Sequence, residues 1–125
     1  MPEIAEVETV RNTLKSMILN KKIVDVNIIY PKIIESNISD FKNILIGREF
    51  VDIDRIGKWL MFDLNDYYLL SHLRMEGKYF VKKSTDEIIK HEHIIISFDD
   101  GTDLRYHDTR KFGRMNLVKK SDIDK

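Results

Sequence analysis

The sequence predicts an α+β fold, an antiparallel β-sandwich or flattened barrel flanked by two α-helices. Three observations point there. An amphipathic stretch opens the chain, a second short helical stretch lies near residue 40, and from residue 49 apolar residues recur at strand spacing between turn signals. Helices segregated from a run of antiparallel strands belong to the α+β layer architectures. At 125 residues the chain suits one compact domain, residues 1–125.

Residues 3–19 read as a helix because Val7, Val10, Leu14, Met17 and Ile18 recur every three or four positions. Pro2 suits a first turn, where a missing N–H costs nothing. Glu3 and Glu6 suit the positive end of the helix dipole. Asn20 and Lys21 form the exit. The period then changes to two: Val24, Val26, Ile28 and Tyr30 alternate with polar residues until Pro31 stops the strand. Ser39 is the predicted cap of a second helix carrying Phe41, Ile44 and Leu45, with Gly47 as its stop. Strands are expected at about 49–56, 59–64, 67–73, 78–82, 93–98, 103–107 and 114–118. Asn65-Asp66 and Asp99-Asp100-Gly101 are hairpin signals. The polar connection at 83–91 is expected to be mobile.

Composition narrows the function classes. A hydrophobic share of 42% beside 34% charged residues is that of a globular domain, neither disordered nor membrane-like. No apolar run approaches transmembrane length. The absence of cysteine excludes disulfides, thiolate metal sites and thiol nucleophiles. The acidic N-terminus is unlike a secretory signal, so a cytoplasmic setting is expected. Net charge is zero, but position matters more than the sum. Residues 1–54 hold 7 Lys/Arg against 9 Asp/Glu, whereas residues 105–120 hold Arg105, Arg110, Lys111, Arg114, Lys119 and Lys120 against Asp108 alone. A local basic surface on a neutral domain suits phosphate contacts as well as it suits a solvated face.

Several residues carry possible chemistry. Met before Pro favours removal of Met1, which leaves Pro2 with a secondary amine of pKa near 7.7–8. Such an amine attacks a sugar C1′ and gives a cationic iminium, an electron sink for elimination; taken alone, Pro2 is better read as a helix-start residue and nothing more. Glu3 and Glu6 suit proton transfer beside that amine, but taken alone they are better read as complementing the helix dipole. Lys58 follows Gly57 between two strands and fits either a phosphate contact or a solvated turn. Met75, between Arg74 and Glu76, does not follow a core pattern; an apolar side chain at a loop is what a wedge into a base stack requires. Asp108 to Gly113 repeat the theme, with Arg110 able to bond a base edge and Phe112 either a wedge or a buried anchor. His91 and His93 would share one strand face, without a clear third metal ligand.

Together and in this order, Met1 to Val10, Gly57-Lys58, His72 to Tyr79, Lys90 to His93, and Tyr106 with Asp108 to Gly113 resemble formamidopyrimidine-DNA glycosylases across the whole chain. The resemblance implies a base-excision repair enzyme acting on damaged double-stranded DNA, with glycosylase activity followed by β- and δ-elimination. It implies Pro2 as nucleophile, Glu3 as acid/base in sugar ring opening, and Glu6 as support. Lys58 and His72 would contact phosphates. Met75, Arg110 and Phe112 would fill the gap left by the flipped base, with Arg110 paired to the estranged cytosine-like partner. The chain departs from the pattern at Ala5, where family starts commonly carry Pro. It also lacks the helix–two-turn–helix module and the four-cysteine zinc finger of the family's second half, so no cofactor is expected in this chain and zinc would belong to that missing part. An excised domain or truncated product is therefore expected, with weak or absent excision, a bacterial, nucleoid-associated setting, and a dimer through the uncovered face as one outcome. The Pro-Glu start is shared with endonuclease VIII-like enzymes acting on oxidised pyrimidines, but the His72 to Gly77 and Arg110 to Gly113 blocks resemble the formamidopyrimidine branch more. A DNA-binding module without catalysis is the other alternative.

Overall fold

A computed structural model describes residues 3–123. Helix α1 (Ile4–Ile18) leads into strand β1 (Ile23–Ile28), a single 3-10 turn at Pro31–Ile33, and helix α2 (Ile38–Leu45). Then come β2 (Asp52–Ile56), β3 (Trp59–Asp63), β4 (Tyr67–His72), β5 (Lys78–Lys83), β6 (Glu92–Phe98), β7 (Thr102–His107) and β8 (Arg114–Lys119), and a four-residue helix α3 (Lys120–Ile123). The strands form two antiparallel sheets of four, ordered β1-β6-β7-β5 and β2-β3-β4-β8. The α+β class is as predicted, in its flattened-sandwich rather than its closed-barrel form.

The core forms because strand alternation turns one face of each sheet inward. Leu60 and Phe62 of β3, Ile94 and Ile96 of β6, and Leu104 and Tyr106 of β7 are all buried. An aromatic file runs through it. Phe98 to Phe50 is 6.1 Å, Phe50 to Phe62 5.2 Å, Phe62 to Tyr79 5.5 Å and Tyr79 to Tyr106 5.2 Å between ring centroids. Each such ring, once buried, contributes about 1.5–3 kcal/mol through desolvation.

Helix α1 buries Val7, Leu14 and Ile18. Three polar ties fix its direction. Glu8 meets Arg55 at 3.1 Å, Arg11 Nη1 donates to the Ile53 carbonyl at 2.9 Å, and Lys15 meets Asp52 at 3.1 Å. Helix numbers rise as strand numbers fall, so α1 runs antiparallel to β2. Its N-terminus therefore lies at the Gly57-Lys58 end of the second sheet.

Several expectations change. Asn37, not Ser39, caps α2: its side-chain oxygen accepts from the Asp40 N–H at 3.0 Å. Val24 does not face the core with Val26, because the register shifts between Ile23 and Asp25; Ile23 takes the buried place and Val24 is exposed. Residues 49–51 precede β2, with Glu49 making only an isolated bridge to Lys22. His91 lies before β6 with φ +72°, and a register shift separates Glu92 from Ile94, so His91 and His93 do not share a face by simple alternation. The connection after β5 is tied down rather than loose. Arg105 Nη1 donates to the Glu87 carbonyl, Arg105 Nη2 donates to the Lys83 and Asp86 carbonyls, and Ser84 Oγ donates to Asp103. Arg105 is thus 1% exposed and contributes nothing to a basic surface.

Candidate nucleic-acid interface

One end of the second sheet collects most of the residues with possible chemistry. The turn Gly57-Lys58 joins β2 to β3, and Trp59 pairs directly with His72 of β4. His72 in turn pairs with Arg114 at the start of β8. The loop after β4 carries Arg74, Met75, Glu76 and Gly77; the loop before β8 carries Asp108 to Gly113. The start of α1, with Glu3 and Glu6 both exposed, approaches from the same end. Pro2 lies outside the described residues.

His72 is held in a defined state. It is 7% exposed, and its Nδ1 accepts the Arg74 N–H at 3.0 Å, which leaves the ring's own proton on Nε2. The Trp59 ring meets it edge-on at 5.0 Å. Burial first, and then the charges of Arg74 and Lys58, hold its pKa below the ordinary imidazole value. Lys58 itself is half-buried.

The two loops put apolar side chains in water. Met75 and Phe112 are each 52% exposed, so Phe112 is not the buried anchor of its loop. With Arg74 and Arg114 they line an open recess of about 390 Å³. Arg110 is exposed beside them, and its Nε lies 3.8 Å from Glu76 of the other loop. Apolar tips rimmed by guanidinium groups suit a base stack between phosphates. A larger recess of about 730 Å³ lies between residues 46–51 and 64–66, but its Arg48 is already neutralised by Asp66 at 2.8 Å, so the smaller recess is the better candidate for phosphate and base contacts.

Beneath these loops sits a residue that sequence reasoning missed. Asp108 is fully buried, and its carboxylate accepts from the backbone N–H groups of Arg110, Lys111 and Gly113 and from the Tyr106 hydroxyl. Its backbone is fixed as well: its N–H donates to the His91 carbonyl at 3.0 Å, and its carbonyl accepts from His93 Nε2 at 2.7 Å. The signal was a single acid in a basic stretch, together with the turn preference of Asp. Glu8 and Arg55 were missed too. They tie α1 to β2, and Arg55 Nη1 donates to the Gly57 carbonyl at 2.8 Å, so one chain of contacts connects the first helix to the Lys58 turn.

Among the described residues, no three metal-capable side chains gather, and no helix is long and apolar enough to cross a membrane. Of the basic stretch, Lys120 is paired with Asp63 at 2.7 Å, while Arg110 and Lys111 remain exposed.

Fold and site together define a two-sheet domain of the kind solved in DNA complexes. The chain superposes with a TM-score of 0.94 on Lactococcus lactis Fpg in complex with abasic-site DNA, at 36% identity, covering 98% of this chain and 46% of that one. It superposes at 0.93 on the same organism's Fpg with DNA containing a formamidopyrimidine-guanine lesion, at 37% identity. The chain belongs to the formamidopyrimidine-DNA glycosylase N-terminal domain family, which matches residues 1–115. The formamidopyrimidine-DNA glycosylase of Ligilactobacillus salivarius is 53% identical over 95% of this chain, and that of Shouchella clausii 52% over 96%. The chain spans 44% of the length of each of these relatives.

Proposed function

We propose that this chain is the nucleophile-bearing part of a base-excision glycosylase and lyase acting on oxidised purines in double-stranded DNA. The observation that carries the proposal is the convergence at one sheet end. The start of α1, Lys58, His72 and the Met75/Phe112 recess meet there, although they are far apart in the chain. With Met1 removed, the Pro2 amine would attack C1′ of the damaged nucleotide, and the bond from C1′ to the base would break, the base leaving with the bonding pair and taking up the proton that the amine gives up. Glu3 would protonate the sugar ring oxygen as the ring opens, leaving a cationic iminium that drives β- and then δ-elimination. Glu6 supports that site. Lys58 and His72 hold phosphates near the lesion; His72, as a neutral ring, does so by donating from Nε2 rather than by charge. Met75, Arg110 and Phe112 fill the space of the extruded nucleotide, with Arg110 bonding the widowed base.

The test is borohydride trapping on a duplex with an abasic site, after mass spectrometry confirms that Met1 is absent. The expected result is a covalent adduct that maps to Pro2 and disappears on N-terminal acetylation or in Pro2→Gly. A folded protein with a free Pro2 that binds the duplex but gives no adduct would leave it a DNA-binding module and overturn the catalytic reading. For this chain by itself, adduct formation is expected to be weak, because affinity scales with the number of phosphates a protein engages.

A further inference from the structure

The two loops of the recess each cross from one sheet to the other and are far apart in the chain, yet a wedge needs them at a fixed spacing. One side chain lies beneath both. Tyr106, on β7 of the first sheet, is 1% exposed. A Cβ placed on Gly77, at the end of the first loop, would lie 2.6 Å from the Tyr106 hydroxyl oxygen and 2.5 Å from the Leu73 carbonyl oxygen. A Cβ placed on Gly113, at the end of the second loop, would overlap that same oxygen. Both loops therefore close on one hydroxyl: at Gly113 it is the first atom a Cβ would meet, and at Gly77 it excludes a Cβ together with the Leu73 carbonyl. The hydroxyl is also committed: it donates to Asp108 Oδ2 at 2.8 Å, the oxygen that accepts the Gly113 N–H at 2.9 Å.

We infer that Tyr106 is a positioning residue that sets the two wedge loops at one spacing, so that Met75 enters the duplex together with Arg110 and Phe112. The inference rests on the wedge reading given above. Tyr106 touches no DNA. Its ring is seated at the end of the core's aromatic file, 5.2 Å from Tyr79, and so transfers the rigidity of the core to the loops. Its hydroxyl then fixes the Asp108 carboxylate, which gathers the N–H groups of the second loop. Burial, then the neighbouring Tyr79, then the bond to Asp108 keep the phenol protonated, as a donor must be.

Tyr79 supplies the control. It is the adjacent ring of the same file, and its hydroxyl is bonded to Ser71 at 2.5 Å rather than to either loop. Tyr79→Phe and Tyr106→Phe each delete one buried hydroxyl, so a merely structural role would give them similar effects. The experiment uses the protein at its natural length. It measures affinity for an abasic-site duplex and the fluorescence of a 2-aminopurine placed opposite the abasic site, with an undamaged duplex as reference. Tyr106→Phe is expected to weaken abasic-duplex binding by about tenfold or more, the size of a lost hydrogen bond to a charged group. The 2-aminopurine response should also fall, while binding to undamaged duplex stays unchanged. Tyr79→Phe is expected to keep both readouts. Equal losses in the two variants, or wild-type binding by a folded Tyr106→Phe, would overturn the inference. Met75→Ala and Phe112→Ala are run beside them: if neither weakens abasic-duplex binding, the wedge reading itself fails and the inference falls with it. Hydrogen exchange on the unmodified protein needs no variant to fold. Binding of the abasic duplex should slow exchange at the Gly77 and Gly113 amides together; slowing at one loop alone would also overturn the inference.

Discussion

Two loops of this molecule are each organised by one buried charge, and they are organised in opposite senses. Asp108 is an acid that collects donors: three backbone N–H groups and a phenol. Arg105 is a base that collects acceptors. Its five N–H groups reach the carbonyls of Lys83, Asp86 and Glu87 and the carboxylates of Asp103 and Glu92. Both residues are essentially without exposure, and both lie on or just past β7. The difference is in what the fixed loop displays. The Asp108 loop holds Phe112 and Arg110 out toward solvent next to Met75, a costly arrangement unless something is to be bound there. The Arg105 loop ties its backbone carbonyls to one guanidinium, and although its Ile88 and Ile89 are 48% and 49% exposed, no second loop faces them across a recess among the described residues. Neither rigidity nor apolar exposure by itself distinguishes the two loops; what does is that the Asp108 loop sets Phe112 and Arg110 against a second loop carrying Arg74, Met75 and Glu76.

The largest test of this contrast removes each organiser. Arg105→Met removes the buried partner of Glu92 and Asp103, leaving Glu92 to Lys82 and the Ile89 N–H and Asp103 to the Ser84 hydroxyl, and is expected to destabilise by about 3–5 kcal/mol, as a broken buried ion network does. Asp108→Ala strands the Gly113 N–H and the Tyr106 hydroxyl, at about 1–3 kcal/mol for each buried donor left unpaired. Urea melts read both. Abasic-duplex titration of the folded protein should separate them, with a loss of affinity in Asp108→Ala that is much greater than in Arg105→Met. Comparable losses would break the comparison.

Acid offers a milder separation. On the wedge side, His72 is held below the ordinary imidazole pKa, chiefly by burial. The unfolded chain therefore takes up a proton that the folded one resists, so the stability it contributes is complete above about pH 6.5 and is lost as pH falls from there. On the clamp side, Glu92 is held below the ordinary carboxylate value: burial opposes this, but Lys82, the Ile89 N–H and Arg105 outweigh it. Its contribution is present above the unfolded value of 4.5 and is lost only in stronger acid. The urea midpoint should decline between pH 7 and 5.5, and His72→Gln should reduce that decline to the part that belongs to His107, which burial also holds below the ordinary imidazole value, without changing the fall below pH 4.5. A midpoint that rises on mild acidification would contradict the assignment.

The smallest effect is the baseline. Arg48 and Asp66 form a well-aligned pair at 2.8 Å, but with Asp66 57% exposed it serves neither loop. Asp66→Asn is expected to cost less than about 1 kcal/mol in the same melts and nothing in duplex affinity. A larger loss would give the recess beside it a role that its geometry does not suggest.

Much of this molecule could be read from its residues. Periods of 3.6 and 2 placed α1 and nearly every strand, because burial of one face repeats at the spacing of the backbone that carries it. The exposed character of Met75 was legible because charges flank it on both sides. What failed had local causes: a bulge that turned Val24 outward, a cap that moved two residues to Asn37, and a turn that took His91 out of the strand. The bulge and the His91 turn depend on partners in distant strands, whereas the Asn37 cap is decided by one hydrogen bond to Asp40 three residues on.

The sequence by itself determined the element types, the α+β class and the set of residues with possible chemistry, because these follow from side-chain polarity at known spacing. Only the tertiary structure decided which charges are surface and which are core. Arg105 and Arg110 are the same residue type five positions apart; the pattern assigns one to a strand and the other to a loop, but does not say which is buried. One is surrounded by the carbonyls and carboxylates that its fork of donors can satisfy, and the other is not. The cost of burying a charge is set by its partners, and those partners come from distant strands that only folding brings together.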